Sequence, residues 1–164
     1  TMPTMARGQS LARADRTALS VFQPEVKARK VRIKEDERGL IISLASDAYF
    51  RPASADVNIE ESRTLLQNLA LLLSSGDLAG RTFRIEGHTD DRPTDTDGPF
   101  PTNWELSTAR STNVLHYLVD FGADERRFQV SGFSDTVPLA SNDTEEGRAY
   151  NRRVDVVILN EGHL

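Results

Sequence analysis

The 164-residue sequence contains no cysteine, which excludes a disulfide framework and any thiolate metal centre. A cysteine-free chain suits an oxidising or a reducing compartment equally, so this absence does not place it. No stretch approaches the roughly 18 consecutive apolar residues that mark a membrane-spanning helix; the longest apolar cluster, Leu69 to Leu73, is far shorter. The opening Thr1-Met2-Pro3-Thr4-Met5 lacks the charged-then-apolar pattern of a secretion signal, and the chain reads as a mature or truncated piece of something larger. An excess of basic residues is also missing. The formal net charge is -5, which argues against a nucleic-acid partner. There is no internal repeat and no low-complexity segment.

What remains is ordinary for a globular protein, with 38% hydrophobic and 27% charged residues and enough length for one domain with a real core. Residues 1–9 are expected to be disordered. Ser10 is placed to cap a short helix carrying Leu11, Ala14, Ala18 and Leu19, ended near Pro24. That amphipathic helix either offers a partner surface or packs on the domain. Val31 to Lys34 alternates apolar and charged residues, and Leu40 to Leu44 reads as its partner strand across a polar turn, giving a hairpin. Leu65, Leu66, Leu69, Leu72 and Leu73 share one face of a helix over about 59–75, stopped by Gly76. Thr82 to Gly87 alternates as a strand, with Phe83 and Ile85 on one side and Arg84 and Glu86 on the other.

A polar loop follows from Thr89 to Pro101, holding four aspartates, three prolines and one glycine. A loop of that length in a small domain is usually functional or mobile. Thr102-Asn103-Trp104-Glu105 fits a capping box, with Glu105 reaching back to Thr102. The helix it opens runs to about Phe121, with Val114, Tyr117, Leu118 and Phe121 toward the core. Strands over 127–131 and 154–159 complete the pattern. The expected fold is therefore α+β, an α/β sandwich with a small mixed β-sheet covered by two main helices and an extra N-terminal helix. Residues 1–28 form an N-terminal linker and helix, and 29–164 the domain proper.

One constellation carries chemistry. Asp90 lies just past the strand ending at Gly87-His88, and Arg110 lies two turns into the next helix. Helical side chains lean toward the N-terminus, so Arg110 points back over the first turns, on the face shared by Asn103 and Leu106 or Ser107. The helix start adds free N–H groups. A carboxylate facing a guanidinium across a shallow pocket suits a zwitterion such as an amino-acid head group. From charge alone, the two side chains either flank such a ligand or simply bridge each other.

Three segments break that tie. Gly87-His88-Thr89-Asp90 resembles the GHTD segment of OmpA-like domains. Asn103-Trp104-Glu105-Leu106-Ser107-Thr108-Ala109-Arg110 is similar to that family's N-x-x-L-S-x-x-R helix. Asn151-Arg152-Arg153-Val154 resembles its closing NRRV signature, and Gly132 with Pro138 suits the stretch between them. The likeness covers about Leu44 to Leu159. It implies binding of the diaminopimelate-bearing peptide of peptidoglycan, with Asp90 holding the ammonium and Arg110 the carboxylate. Thr89, Asn103, Leu106 and Arg152 match neighbours lining the same pocket.

Thr89-Asp90-Asp91-Arg92-Pro93, the long loop and Asn103-Trp104-Glu105-Leu106-Ser107 are similar to the MotB subfamily of flagellar stators. So is Tyr49-Phe50-Arg51-Pro52-Ala53-Ser54-Ala55, although Ala53 stands where that subfamily has glycine. The resemblance implies a periplasmic, wall-anchoring domain of an inner-membrane protein, working as a homodimer. A MotA-type channel subunit would meet it through a membrane segment absent here. No cofactor is implied. The same domain also occurs in outer-membrane porins and peptidoglycan-associated lipoproteins. A wall hydrolase is a third reading, but the sequence offers no paired glutamates in a cleft motif, no nucleophile elbow and no His-rich zinc signature.

Other conspicuous residues take plain readings. His88 is expected to hydrogen-bond loop backbone at the strand end, and no metal ligands are assigned. Asp91, Asp95 and Asp97 read as solvated acids, since the loop lacks the first and last acids of a calcium loop. Trp104 is expected to pack beneath the loop, and Arg126-Arg127 to sit in a solvated turn. Of Arg152 and Arg153, one is expected in a structural ion pair.

Overall fold

The computed structural model describes residues 3–160, with side chains from Leu11 onward. A five-stranded sheet is built from β1 (Val31–Asp36), β2 (Gly39–Ala45), β3 (Phe83–His88), β4 (Phe128–Gly132) and β5 (Arg153–Leu159), in the order β1-β2-β5-β3-β4. The hairpin expected from the alternation at 31–44 forms, with Val31 opposite Leu44 and Asp36 opposite Gly39. The C-terminal β5 slots between β2 and β3, antiparallel to both. Only β3 and β4 run parallel, as they must when a helix crosses between them. The sheet is mixed and helix-covered, as the sequence predicts.

Strand alternation gives the sheet two faces. Leu40, Ile42, Leu44, Phe83, Ile85, Val154, Val156 and Ile158 join the main core beneath the helices. Ile41, Val157 and Leu159 form a smaller cluster on the opposite face, which also carries the polar Ser43, Glu86, His88, Arg153 and Asp155. Two long helices cover the main core. Helix α4 (Ile59–Leu73) buries Leu65, Leu66, Leu69, Leu72 and Leu73, the stripe read from the sequence. Helix α5 (Asn103–Asp120) starts with the expected capping box: the Thr102 hydroxyl accepts from the Trp104 N–H and Glu105 Oε1 accepts from the Thr102 N–H. It buries Val114 and Leu118, while Tyr117 and Phe121 are only partly covered.

The N-terminus departs from expectation. Helix α1 spans Pro3–Val21, so residues 3–9 are helical and Ser10 lies inside the helix instead of capping it; Thr1 and Met2 lie outside the described residues. Leu11, Ala14, Ala18 and Phe22 are buried at helical spacing in the main core, but Leu19 is exposed. Pro24 opens a second short helix, α2 (Gln23–Lys27), where its missing N–H costs nothing. Two further short helices, α3 (Ser46–Tyr49) and α6 (Glu145–Asn151), were not foreseen. Arg127 also differs from the solvated turn assigned to it. Its guanidinium donates to the carbonyls of Leu73, Leu78 and Arg81 and lies over Phe83, whereas Arg126 is exposed and paired with Asp124.

The site depends on how closely α5 meets the end of β3. A Cβ on Gly87 would stand 2.1 Å from the Ser107 carbonyl oxygen, and one on Gly132 2.1 Å from Thr108 Oγ1. Both positions need glycine because helix atoms fill the space a side chain would take, backbone at Gly87 and the Thr108 and Ser107 hydroxyls with the Thr108 nitrogen at Gly132. The Ser111 hydroxyl ties the same seam by donating to the Ser131 carbonyl.

Candidate functional site

A cleft lies where β3, α5 and the segment after α6 converge, closed on one side by residues 46–53 and on the other by the 92–100 loop. It encloses about 360 Å³. Its walls include Thr89, Asp90, Asn103, Leu106, Arg110 and Arg152. All six residues singled out in the sequence thus meet in one cavity. Phe50, Pro52, Pro93, Pro99 and Phe100 supply apolar wall.

Asp90 does not bridge to Arg110. Its Oδ2 accepts from Arg152 Nη1 at 2.6 Å, and its Oδ1 accepts from the Arg92 N–H at 3.0 Å. Arg152 is held by two more carboxylates, Asp47 at 2.9 Å and Glu145 at 2.5 Å. Hydrogen bonding to Asp47, then to Glu145 and Asp90, outweighs desolvation and raises the guanidinium above its ordinary value. In turn, Arg152 and Arg148 hold the exposed Glu145 carboxyl below its usual range. Arg153 makes a separate structural pair with Asp155 at 3.1 Å, so the two adjacent arginines divide between site and scaffold.

Arg110 sits on the opposite wall, 5% exposed. Its Nε donates to the Ser54 carbonyl at 2.8 Å, and its Cζ lies 5.2 Å from the Phe50 ring centre. No carboxylate lies within 4 Å of it among the described residues. Burial is the largest influence on Arg110 and pushes its pKa down to about 10, with Arg152 adding repulsion while Asp47 and Asp90 pull the other way. It remains a cation at neutral pH. A buried cation without an anionic partner is costly, and an anion entering the cleft relieves that cost.

The other expected residues play distinct parts. Asn103 Nδ2 donates to the carbonyls of Arg92 at 2.8 Å and Asp90 at 3.4 Å, so it pins the loop to the helix. Thr89 closes the strand end, donating its N–H to the Ser134 carbonyl and its hydroxyl to the Asp90 carbonyl. Leu106 gives an apolar patch beside Arg110. In the loop itself, Asp95 accepts the Asp97 N–H in a local turn.

Two expectations fail. Among the described residues the His88 ring makes no hydrogen bond to loop backbone and neither ring nitrogen has a partner, and the ring stacks on Phe133 with centroids 5.1 Å apart. Trp104 does not pack beneath the loop but stands 49% exposed. Sequence reasoning also missed Asp47, 105 positions before Arg152 on the short helix α3, and Glu145, seven positions before it on the short helix α6. Phe50 had a signal, since it falls within the Tyr49 to Ala55 segment already noted.

Comparison with known proteins follows the same lines. Residues 49–152 match the OmpA family. Motility protein B of Bacillus subtilis is 34% identical over 130 residues, 79% of this chain and 48% of that protein. The cell wall anchor of the T6SS from Pseudomonas aeruginosa superposes with a TM-score of 0.76 at 34% identity, covering 87% of this chain and 96% of the other. A MotB-like protein from Desulfovibrio vulgaris reaches a TM-score of 0.82 at 27% identity, covering 94% of each chain. The chain spans about half the length of the curated relatives it matches first.

Proposed function

This chain belongs to the OmpA family, and on that premise we propose that it binds peptidoglycan without cleaving it, in the cleft between Asp90 and Arg110. The observation that carries this reading is the buried Arg110 guanidinium with no carboxylate partner, set across about 360 Å³ of cavity from Asp90. A ligand with a carboxylate and an ammonium a few bonds apart satisfies both walls. The free head group of a diaminopimelate side chain in the stem peptide has that chemistry. Its carboxylate takes a forked pair of hydrogen bonds from Arg110. Its ammonium adds to the Asp90 carboxylate, either beside Arg152 or in its place. Arg152 has Asp47 and Glu145 to fall back on, so it can yield Asp90 without becoming an unpaired charge. Thr89 and Asn103 position the Asp90 turn, and Leu106 packs against the ligand's aliphatic stem.

The likeness to Motility protein B supports a role as the wall anchor of a flagellar stator. In that setting the parent protein is a homodimer in the inner membrane, partnered by a MotA-type channel subunit, and this domain lies in the periplasm. The equal identity to a T6SS cell wall anchor supports a second setting, in which the same grip fixes a different envelope machine. In both settings the domain is a binding module and not an enzyme.

Co-sedimentation with purified sacculi tests the shared core of these readings. Wild type is expected to pellet with the wall, and Asp90→Ala and Arg110→Ala to remain in the supernatant with their folds intact by circular dichroism. Retention of both variants on sacculi would place the binding site elsewhere. Release of soluble muropeptides would overturn the non-catalytic reading.

A further inference from the structure

Outside the cleft, on the sheet face turned away from α4 and α5, lies a second group of charged side chains. Glu86 on β3 and Asp155 on β5 are direct cross-strand partners, and alternation brings His88 onto the same face two residues later. All three are buried, and each offers a ligand atom within 4.8 Å of the others. His88 Nε2 is 3.9 Å from both Glu86 Oε1 and Asp155 Oδ2. Two carboxylates directly opposed across a sheet repel, so the cluster needs positive charge.

Part of that charge is present. Arg153 Nε donates to Asp155 Oδ2 at 3.1 Å, and Arg38 reaches over from the β1–β2 turn to Glu86 Oε1 at 2.5 Å. Four buried polar atoms are nevertheless left over. Both His88 ring nitrogens, Asp155 Oδ1 and the hydroxyl of Ser43 have no hydrogen-bond partner among the described residues. The His88 side chain is 3% exposed, and Ser43 is the cross-strand partner of Asp155 on β2. Each such unmade bond is a cost to the folded state. Asp155 Oδ1 can only accept, and a neutral imidazole carries one accepting nitrogen. Two lone pairs in the cluster, one on Asp155 Oδ1 and one on the neutral His88 ring, therefore face no donor among the described residues.

We propose that Glu86, His88 and Asp155 bind a divalent transition-metal ion of the zinc class. One imidazole and two carboxylates make a nitrogen and oxygen donor set suited to zinc, whereas calcium and magnesium favour oxygen alone. Donors around a tetrahedral zinc at about 2.0–2.1 Å stand roughly 3.3 Å apart. Closing the 3.9 Å separations to that value takes small side-chain rotations. Arg38 is the placeholder. It already donates to both carboxylate oxygens of Asp36 through Nε and Nη2, and it can keep Asp36 while surrendering Glu86 to the ion. The two carboxylates then face Arg153 at 3.1 Å from Asp155 and Arg84 at 3.7 Å from Glu86. Arg153 holds Asp155 in place through Oδ2, and the partly exposed Arg38 and Arg84 side chains form the entrance.

Titration calorimetry of the chelator-treated chain with zinc chloride tests this, using wild type, His88→Gln, Asp155→Asn and the loop control Asp95→Asn. Wild type and the control are expected to take up one ion with equal affinity and to melt at a higher temperature with zinc. Both site variants are expected to bind at least about 10-fold more weakly. No uptake by wild type, or equal uptake by the site variants, overturns the assignment. Should a site variant fail to fold, nitrogen-15 spectra of the wild-type histidines decide. The His88 ring must shift on zinc addition, and shifts confined to His116 and His163 overturn the site.

Discussion

Asp90 is paired with Arg152 at 2.6 Å and not with Arg110. The two walls of the cleft are therefore in different electrostatic states. One carboxylate already has a cation, and the other wall presents a buried cation whose contacts among the described residues are the Ser54 carbonyl and the face of Phe50. A recognition site of this kind gains most from the anionic end of its ligand. Replacing Arg110 with lysine separates charge from shape, because lysine keeps the charge but loses the planar fork. Arg110→Lys is expected to weaken sacculus binding about 10- to 100-fold, corresponding to the roughly 1.5–3 kcal/mol of a hydrogen bond to a charged group. Equilibrium co-sedimentation measures it, and near-wild-type affinity would reduce Arg110 to a point charge.

The N-terminal helix is part of the fold's energetics. Phe22 is fully buried in the main core together with Ala14 and Ala18. Phe22→Ala is expected to destabilise the protein by about 3–5 kcal/mol, read as a lower midpoint in urea unfolding. Truncation at residue 29 is expected to do at least as much. A loss under about 1 kcal/mol would mean that α1 is only loosely attached in solution.

Ala53 occupies the left-handed region with φ of 54°, at the position where the resembling subfamily carries glycine. A non-glycine residue there costs about 1–2 kcal/mol, of which glycine returns part to unfolded-chain entropy. Ala53→Gly is expected to stabilise the domain by up to about 1 kcal/mol, measured by thermal unfolding, and to leave the cleft's charged groups unmoved. Destabilisation would show that the Ala53 methyl group is needed in the cleft wall.

Local rules account for what could be read in advance. The alternation of Phe83 and Ile85 with Arg84 and Glu86 defined β3, and Thr102 to Glu105 announced the start of α5, because periodicity and capping are written within a few residues. Ser10 misled for the same reason: a good capping residue also tolerates a helix interior when Leu11, Ala14 and Ala18 bind the helix to a core. Helix α6 gave no periodic signal. It has seven residues and buries only Gly147 and Asn151, and Asn151 is held by the backbone of Leu139 and Ala140. The six cleft residues were legible through linked motifs, but Asp47 was not. Its contact with Arg152 spans 105 positions and exists only once β2 and β5 have paired.

The acid limit of stability should trace to Glu86. Its carboxyl ionises lower in the folded protein than its ordinary value, because His88 and Arg38 outweigh the cost of burial. Between the folded value and the roughly 4.3 of an unfolded chain, the unfolded state binds more protons. The stabilisation is therefore complete above the unfolded value and is lost as pH falls through the folded one. In metal-free buffer, wild type is expected to lose melting temperature steeply on acidification below about pH 4. Glu86→Gln is expected to melt lower at neutral pH, because Arg38 and Arg84 lose a charged partner, and to fall less steeply in acid. Parallel curves for the two proteins would assign the acid transition to other carboxylates, of which Asp36 is the first to test, since hydrogen bonding to Arg38 outweighs its burial and holds it low as well.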